Sequence, residues 1–256
     1  MAGVWGIFEG GTVGSGSGSS RDRGFAVVGT VEYKLPVHII AVDTTTARGS
    51  VAVVTEDGVA AEARSTTQEG HSRWLLSAAA EALDGLGLEA RDLDGFAVTV
   101  GPGSFTGLRV GMSSVQGLAL AAGRPCVGVA SLDLLGRAAA GGAATVVALV
   151  DALRGEVFSG TYDRAGHLSG ERRVGQLEAL VGGLEGEVAF VGDGALRYRA
   201  ELEALVGGAT FPEVDLFLAA GLGRVAIEEL RSGGGCAPGD LRPLYLRAPH
   251  IRKARR

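Results

Sequence analysis

Apolar positions along this chain come in short blocks separated by glycine-rich polar turns. Val37-His38-Ile39-Ile40-Ala41-Val42 opens abruptly, predicting a strand over 38–42 that ends on a polar turn, Asp43-Thr44-Thr45-Thr46-Ala47-Arg48-Gly49. Strands are predicted over 50–55 and 59–65, and the Asp57-Gly58 pair between them favours a hairpin. From His71 to Leu86 the period becomes helical, with Trp74, Leu75, Ala78, Ala79, Ala82 and Leu86 on one side. Phe96-Ala97-Val98-Thr99-Val100 reads as a buried strand running into Gly101-Pro102-Gly103-Ser104-Phe105-Thr106-Gly107 and then a helix to about Ala122. A strand over 125–129 and a helix from near Ser131 complete this first set.

The plan then restarts. Val146-Val147-Ala148-Leu149-Val150-Asp151 echoes Ile39-Ile40-Ala41-Val42-Asp43, and Arg154-Gly155-Glu156-Val157 stands where Arg48-Gly49-Ser50-Val51 stood. A hairpin turn recurs at Asp163-Arg164-Ala165-Gly166. Val188-Ala189-Phe190-Val191-Gly192-Asp193-Gly194, heading into a helix, echoes Phe96 to Gly103. Four matched elements in one order predict a duplicated α/β fold, each half a mixed sheet with flanking helices. The halves are read as 37–138 and 139–246, with a basic tail over 247–256.

Composition changes this picture at the ends. Nine of the 43 glycines fall in residues 1–36, a polar stretch without apolar periodicity that reads as a flexible tail or a misassigned start. The formal net charge is −5, while residues 247–256 hold five basic side chains, so the remainder is a poor surface for nucleic acid unaided. Two cysteines give no metal or disulfide framework and suggest a reduced, cytoplasmic setting. No apolar run reaches the ~18 residues of a membrane span. The 22 Arg against 2 Lys fit a GC-rich coding sequence.

Candidate chemistry gathers at the repeated turns. Asp43 and Asp151 each end an apolar strand. There a carboxylate can orient a metal or water beside a phosphate, or simply cap its own turn. The second turn, Asp151-Ala152-Leu153-Arg154, lacks the hydroxyls of Thr44 and Thr45. In Gly101 to Arg109, Gly101 and Gly103 permit positive φ and close backbone approach, and Ser104 or Thr106 can cap a helix whose free N–H groups attract an anion. The bland alternative is a turn built for close helix–sheet packing. The stretch is neither a P-loop nor a G-x-G-x-x-G, no G-x-S-x-G elbow occurs, and no His or Cys pair has metal-ligand spacing. His71, at a helix start, reads as a cap or contact residue.

Ile40-Ala41-Val42-Asp43-Thr44-Thr45, Gly101 to Gly111, Gly128-Val129-Ala130-Ser131-Leu132 and Pro243-Leu244-Tyr245-Leu246-Arg247 resemble the TsaB family, bacterial tRNA threonylcarbamoyladenosine (t6A) biosynthesis proteins. The resemblance covers about residues 37–250. It implies a duplicated actin-like ATPase (ribonuclease H-like) fold and a non-catalytic role beside a catalytic relative, TsaD. That relative transfers a threonylcarbamoyl group to N6 of adenosine 37 in tRNAs reading ANN codons, with a small ATPase, TsaE.

TsaD carries Gly-Val-Asn-His-x-x-x-His, whose histidines bind metal; here Ser131 and Leu135 stand at those positions, so no metal and no catalysis by this chain are expected. The cleft residues Asp43, Thr44, Thr45, Gly101, Gly103, Ser104, Thr106 and Asp151 then become a degenerate nucleotide site. ATP is used by the complex and not bound tightly by this chain. The family pattern also makes the first helix and the helix after Gly107 a shared surface for TsaD or for a homodimer. Its candidates are His71, Trp74, Leu75, Ala78, Ala82 and Met112, with Trp74 as anchor, against the alternative of ordinary packing on the sheet. Two other functions stay open at this point: an ATP-binding enzyme of the sugar kinase and actin superfamily using Asp43 and Asp151, and a glycoprotease-like peptidase.

Overall fold

The computed structural model describes residues 37–66 and 71–247. The readings of 1–36 and of 248–256 therefore lie outside the described residues. Within them the chain builds two five-stranded sheets of the same plan. The first contains β1 (Ile39–Asp43), β2 (Gly49–Thr55), β3 (Gly58–Ser65), β4 (Gly95–Gly101) and β5 (Cys126–Ala130), in the order β3-β2-β1-β4-β5. The second contains β6 (Thr145–Asp151), β7 (Glu156–Asp163), β8 (Arg173–Gln176), β9 (Val188–Val191) and β10 (Ala209–Thr210), in the order β8-β7-β6-β9-β10. In each, the first three strands form an antiparallel meander and the last two add in parallel to the first. This is the duplicated ribonuclease H-like, actin-like α/β fold.

Both central strands are apolar on two faces, because helices cover both sides of each sheet. Ile40 and Val42 point to a core shared with α1 (His71–Asp84) and α2 (Phe105–Ala122), whereas Ile39 and Ala41 point the other way. In β6, Val147 and Leu149 face α4 (Leu177–Val181), α5 (Asp193–Arg197) and α6 (Arg199–Leu205). Val146, Ala148 and Val150 join Ile39 and Ala41 in one central core, filled by α3 (Ser131–Ala138) and α7 (Ala219–Arg231). Among the described residues no helix is long and apolar enough to cross a membrane.

Two features depart from a simple tandem. First, α7 follows the second sheet in sequence yet packs on the first. Ala219 N–H donates to Ser50 Oγ at 3.1 Å, and Gly223 lies so close to Val54 that a Cβ would collide with it. Second, the hairpin turn at Asp163–Gly166 forms, but β7 meets its partner only from Arg173 onward, after a single bridge between Tyr162 and Leu168. Tyr162 crosses to the first half: its buried hydroxyl donates to Asp133 Oδ1 at 2.7 Å, and Arg172 Nε donates to the same oxygen at 2.9 Å. Asp133 on α3 thereby clasps the β7–β8 connection.

Candidate functional site

The two sheets end their first strands side by side, and a cleft of about 790 Å³ opens between them. Its walls are the turn after β1 (Thr45, Thr46), the start of α2 with Gly103, Ser104 and Thr106, and the turn after β6 (Asp151 to Arg154). Leu244 to Arg247 line it as well, as a strap. Of the eight residues predicted for a nucleotide cleft, the structure brings Thr45, Gly103, Ser104, Thr106 and Asp151 to this lining. Asp43 and Thr44 are buried behind it, and Gly101 lies beneath the strap, where Leu244 N–H donates to Val100 O at 2.7 Å.

Asp43 is a hub turned inward. Its Oδ1 accepts from Thr45 N–H (3.0 Å), Thr45 Oγ1 (2.7 Å) and Thr99 Oγ1 (2.6 Å), while Oδ2 is buried without a partner. Complete burial pushes its carboxyl above the ordinary value of 3.8, against the hydrogen bonds from Thr99 and Thr45 that favour the anion. A carboxyl with a raised folded pKa binds its proton more tightly in the folded state. Its stabilising contribution is full below 3.8 and is lost as pH rises through the folded pKa. Asp43→Asn keeps the Oδ1 acceptor and removes the buried charge. The parent loses this contribution as pH rises and the variant does not, so the stability of the variant relative to the parent is expected to rise with pH, even though its Nδ2 donors sit where Oδ2 has no partner. Thermal melts from pH 4 to 8 check this, and a pH-independent deficit in the variant would refute it.

Asp151 differs because its turn does. The Oδ2 atom pairs with Arg197 NH1 at 2.7 Å and Oδ1 accepts Leu153 N–H at 3.0 Å. The turn continues through Leu153 and Arg154, both at positive φ (63° and 60°), which places the exposed Leu153 side chain in the cleft wall. Positive φ is costly for such residues. Asp193 is a cleft carboxyl that sequence reasoning passed over. Burial raises its pKa, and Oδ1 accepts Asp151 N–H at 3.3 Å. The available signal was its place between Gly192 and Gly194, in the echo of Gly101 to Gly103.

The Gly101–Gly111 stretch packs closely against the turn after β1. Gly101 has φ +109°, but Gly103 does not adopt positive φ; a Cβ there would strike the Thr45 carbonyl. Gly107 meets the Thr44 carbonyl in the same way, and Gly111 meets Thr44 Oγ1. Ser104, not Thr106, is the cap, accepting Gly107 N–H at 3.2 Å. Thr44 Oγ1 donates to Gly107 O at 2.8 Å, which fastens α2 to the turn after β1.

The expected partner surface is placed differently from the prediction. Leu75, Ala78, Ala82 and Met112 are buried against the first sheet and are not free. Trp74 is half-buried, with its ring against Gly49, and His71 places Nε2 at 2.8 Å from Thr46 O. The packing alternative holds for Leu75, Ala78 and Ala82 because the apolar side of α1 is the side that must cover β2 and β3. What α1 and α2 expose instead includes Arg73, Leu76 (53% exposed), Arg109 and Leu120 (73%).

Arg247, read as the start of a basic tail, is engaged. Its guanidinium donates to Ala152 O at 3.2 Å and pairs with Glu156, while Tyr245 stacks on Phe105 at 5.4 Å between centroids. Ser131 and Leu135 are fully and almost fully buried. Ser131 Oγ donates to Pro102 O at 2.6 Å, and Leu135 offers only hydrocarbon. These two side chains do not fit a metal, and among the described residues no group of three or more His, Cys, Asp or Glu could hold one.

Comparison with known proteins places this geometry. The family model for TsaD, tRNA N6-adenosine threonylcarbamoyltransferase, matches residues 58–201. The tRNA threonylcarbamoyladenosine biosynthesis protein TsaB of Escherichia coli is 37% identical over 130 residues, half of this chain and 56% of that protein. The chain thus spans about half the length of the curated TsaB relatives it matches. An uncharacterized protein of Mycobacterium tuberculosis is 32% identical over 82% of this chain and 92% of its own length. The solved structure of YeaZ from Pseudomonas aeruginosa superposes with a TM-score of 0.69 at 28% identity, over 82% of this chain and all of that one. With a family model matching more than half of it and a relative matched over nine-tenths of its length, the chain belongs to the tRNA N6-adenosine threonylcarbamoyltransferase family, as a TsaB-like member.

Proposed function

We propose that this chain acts in t6A formation on tRNA as a non-catalytic subunit that pairs with TsaD and supports assembly with TsaE. The pathway is supported by the likeness to TsaB. The observation that carries the non-catalytic reading is the use of Ser131 and Leu135. One hydroxyl is spent on the Pro102 carbonyl, and the other side chain is buried hydrocarbon, where the catalytic relative needs two imidazoles. On this reading ATP is consumed by the complex and is not held tightly here. Asp43 faces away from the cleft, and Asp151 is already paired with Arg197. The chain's own contribution is a surface on α1 and α2, both packed on the first sheet.

Reconstitution tests this. Purified TsaD, TsaE, tRNA, ATP and threonylcarbamoyl-adenylate are combined with and without the chain. Omission is expected to lower modified adenosine at least tenfold, and equal yields would refute the subunit role.

One observation favours a second reading, an ATP-binding enzyme. The 18-residue α2 starts at the cleft with a capped N-terminus, a place where backbone N–H groups suit an anion. Calorimetry of the isolated chain with ATP and Mg²⁺ separates the two: saturable binding supports this reading, and no heat supports the first. The peptidase reading draws no support from the site. Ser104 Oγ serves as the helix cap, and His71 Nε2 is hydrogen-bonded to the Thr46 carbonyl.

A further inference from the structure

The chain has two cysteines, 110 positions apart, and the fold sets them face to face. Cys126 opens β5; Cys236 lies between α7 and the 3-10 turn Pro238–Asp240. Cys126 N–H donates to Cys236 O at 2.9 Å and Cys236 N–H donates back to Cys126 O at 2.8 Å, an isolated antiparallel bridge. Residues that exchange both bonds stand about 5.5 Å apart at Cα, with their side chains on one face. A disulfide spans Cα separations of about 4.4–6.8 Å. Both side chains pack on the same apolar cluster under α1 and α2, Cys126 wholly buried and Cys236 partly exposed.

We propose that Cys126 and Cys236 form a reversible intramolecular disulfide under a small-molecule disulfide oxidant, a covalent modification that pins the base of the C-terminal strap to the first sheet. Cys236 is the accessible member and reacts first. Its thiolate attacks one sulfur of the oxidant, forming a mixed disulfide and releasing one small thiol. The Cys126 sulfur then displaces the second small thiol and closes the Cys126–Cys236 bond. Two electrons pass from the cysteine pair to the oxidant's S–S bond, and the two cysteine protons end on the released thiols. Burial pushes the Cys126 thiol up to about 11 and raises the Cys236 thiol too, with Asp240 adding to the rise and Arg242 opposing it, so both steps are slow at neutral pH and faster in mild alkali.

What the bond would restrain is specific. From Cys236 the chain runs through Pro238, whose carbonyl accepts Gln116 Nε2 at 2.9 Å, to Leu244 on Val100 and Arg247 on the second half. Oxidation fixes the near end of that strap while leaving the cleft residues unmodified.

The full chain is equilibrated with graded ratios of reduced and oxidised glutathione, quenched by alkylation and weighed intact. The expected product has lost two hydrogens, carries no alkyl group, yields a linked peptide pair and reverts with dithiothreitol. It melts several degrees higher and exchanges the strap amides more slowly. Cys126→Ala is expected to stop at a glutathione adduct on Cys236, and Cys236→Ser to show neither product nor melting shift. Full alkylation of both thiols at every ratio, or adducts and intermolecular dimers alone, overturns the proposal. None of these readouts depends on t6A formation, so failure here leaves the functional reading standing, and the reverse.

Discussion

A Gly107→Val chain is expected to lose more than about 3 kcal/mol of folding stability, a large part of the 5–15 kcal/mol that holds a typical domain. The side chain would enter the space of the Thr44 carbonyl. A clash with backbone cannot be relieved by a rotamer change, so α2 must lift off the turn after β1. Overpacking alone costs about 1–3 kcal/mol. Lifting the helix also breaks two bonds, Thr44 Oγ1 to Gly107 O (2.8 Å) and Ser104 N–H to Thr45 O (2.7 Å), each about 1 kcal/mol. Gly117→Ala on the same helix is the control. A Cβ there meets nothing within 4 Å, and alanine in an exposed helix interior gains up to about 1 kcal/mol over glycine. Urea unfolding of the pair is decisive. If both variants shift alike, position-specific packing against Thr44 is wrong.

Asp133→Ala should cost about 2–3 kcal/mol. One carboxylate satisfies the hydroxyl of Tyr162, whose ring is 1% exposed, and the guanidinium of Arg172, a quarter exposed. Its removal strands a donor and a cation in a poorly hydrated place between α3 and the β7–β8 connection. Tyr162→Phe removes only one donor and should cost about 1 kcal/mol. Denaturant midpoints in the two variants order these effects. A loss from Asp133→Ala no greater than that from Tyr162→Phe would show that Arg172 finds water or another acceptor.

The architecture was readable because the two central strands are built alike. Alternation is absent in Ile39-Ile40-Ala41-Val42 and Val146-Val147-Ala148-Leu149-Val150, since both faces of each strand are covered, and the Asp closing each run marks its edge. The helical stripe on α1 was equally visible but ambiguous. An apolar stripe reports that something covers it, not whether that is the chain's own sheet or another protein, and Leu75, Ala78 and Ala82 went to the sheet. Of the two uses the sequence leaves open for these glycines, positive φ holds at Gly101 and close backbone approach at Gly103. Gly103, Gly107 and Gly111 recur every four residues, the spacing of one helix face, and that spacing was the available sign that α2 lies against backbone. The strap was visible as a motif, Pro243 to Arg247, but nothing in it showed where it packs. Leu244 to Arg247 take their meaning from Val100, Phe105 and Glu156, far away in sequence, and only the folded chain brings these together.

The crossing of α7 onto the first sheet decides what counts as a unit in this molecule. The repeat seen in the sequence divides the chain near Ala138, but the central core takes Ile39 and Ala52 from one side of that boundary, and Val146, Leu222 and Ala226 from the other. Severed there, the first piece would show water the sheet face that α7 covers, and the second would carry a helix with nothing to lie on. Duplication therefore describes how the pattern is written, whereas cooperativity belongs to the whole. The two sheets are set to melt in a single step, and any hinge at the cleft must bend without parting the core they share.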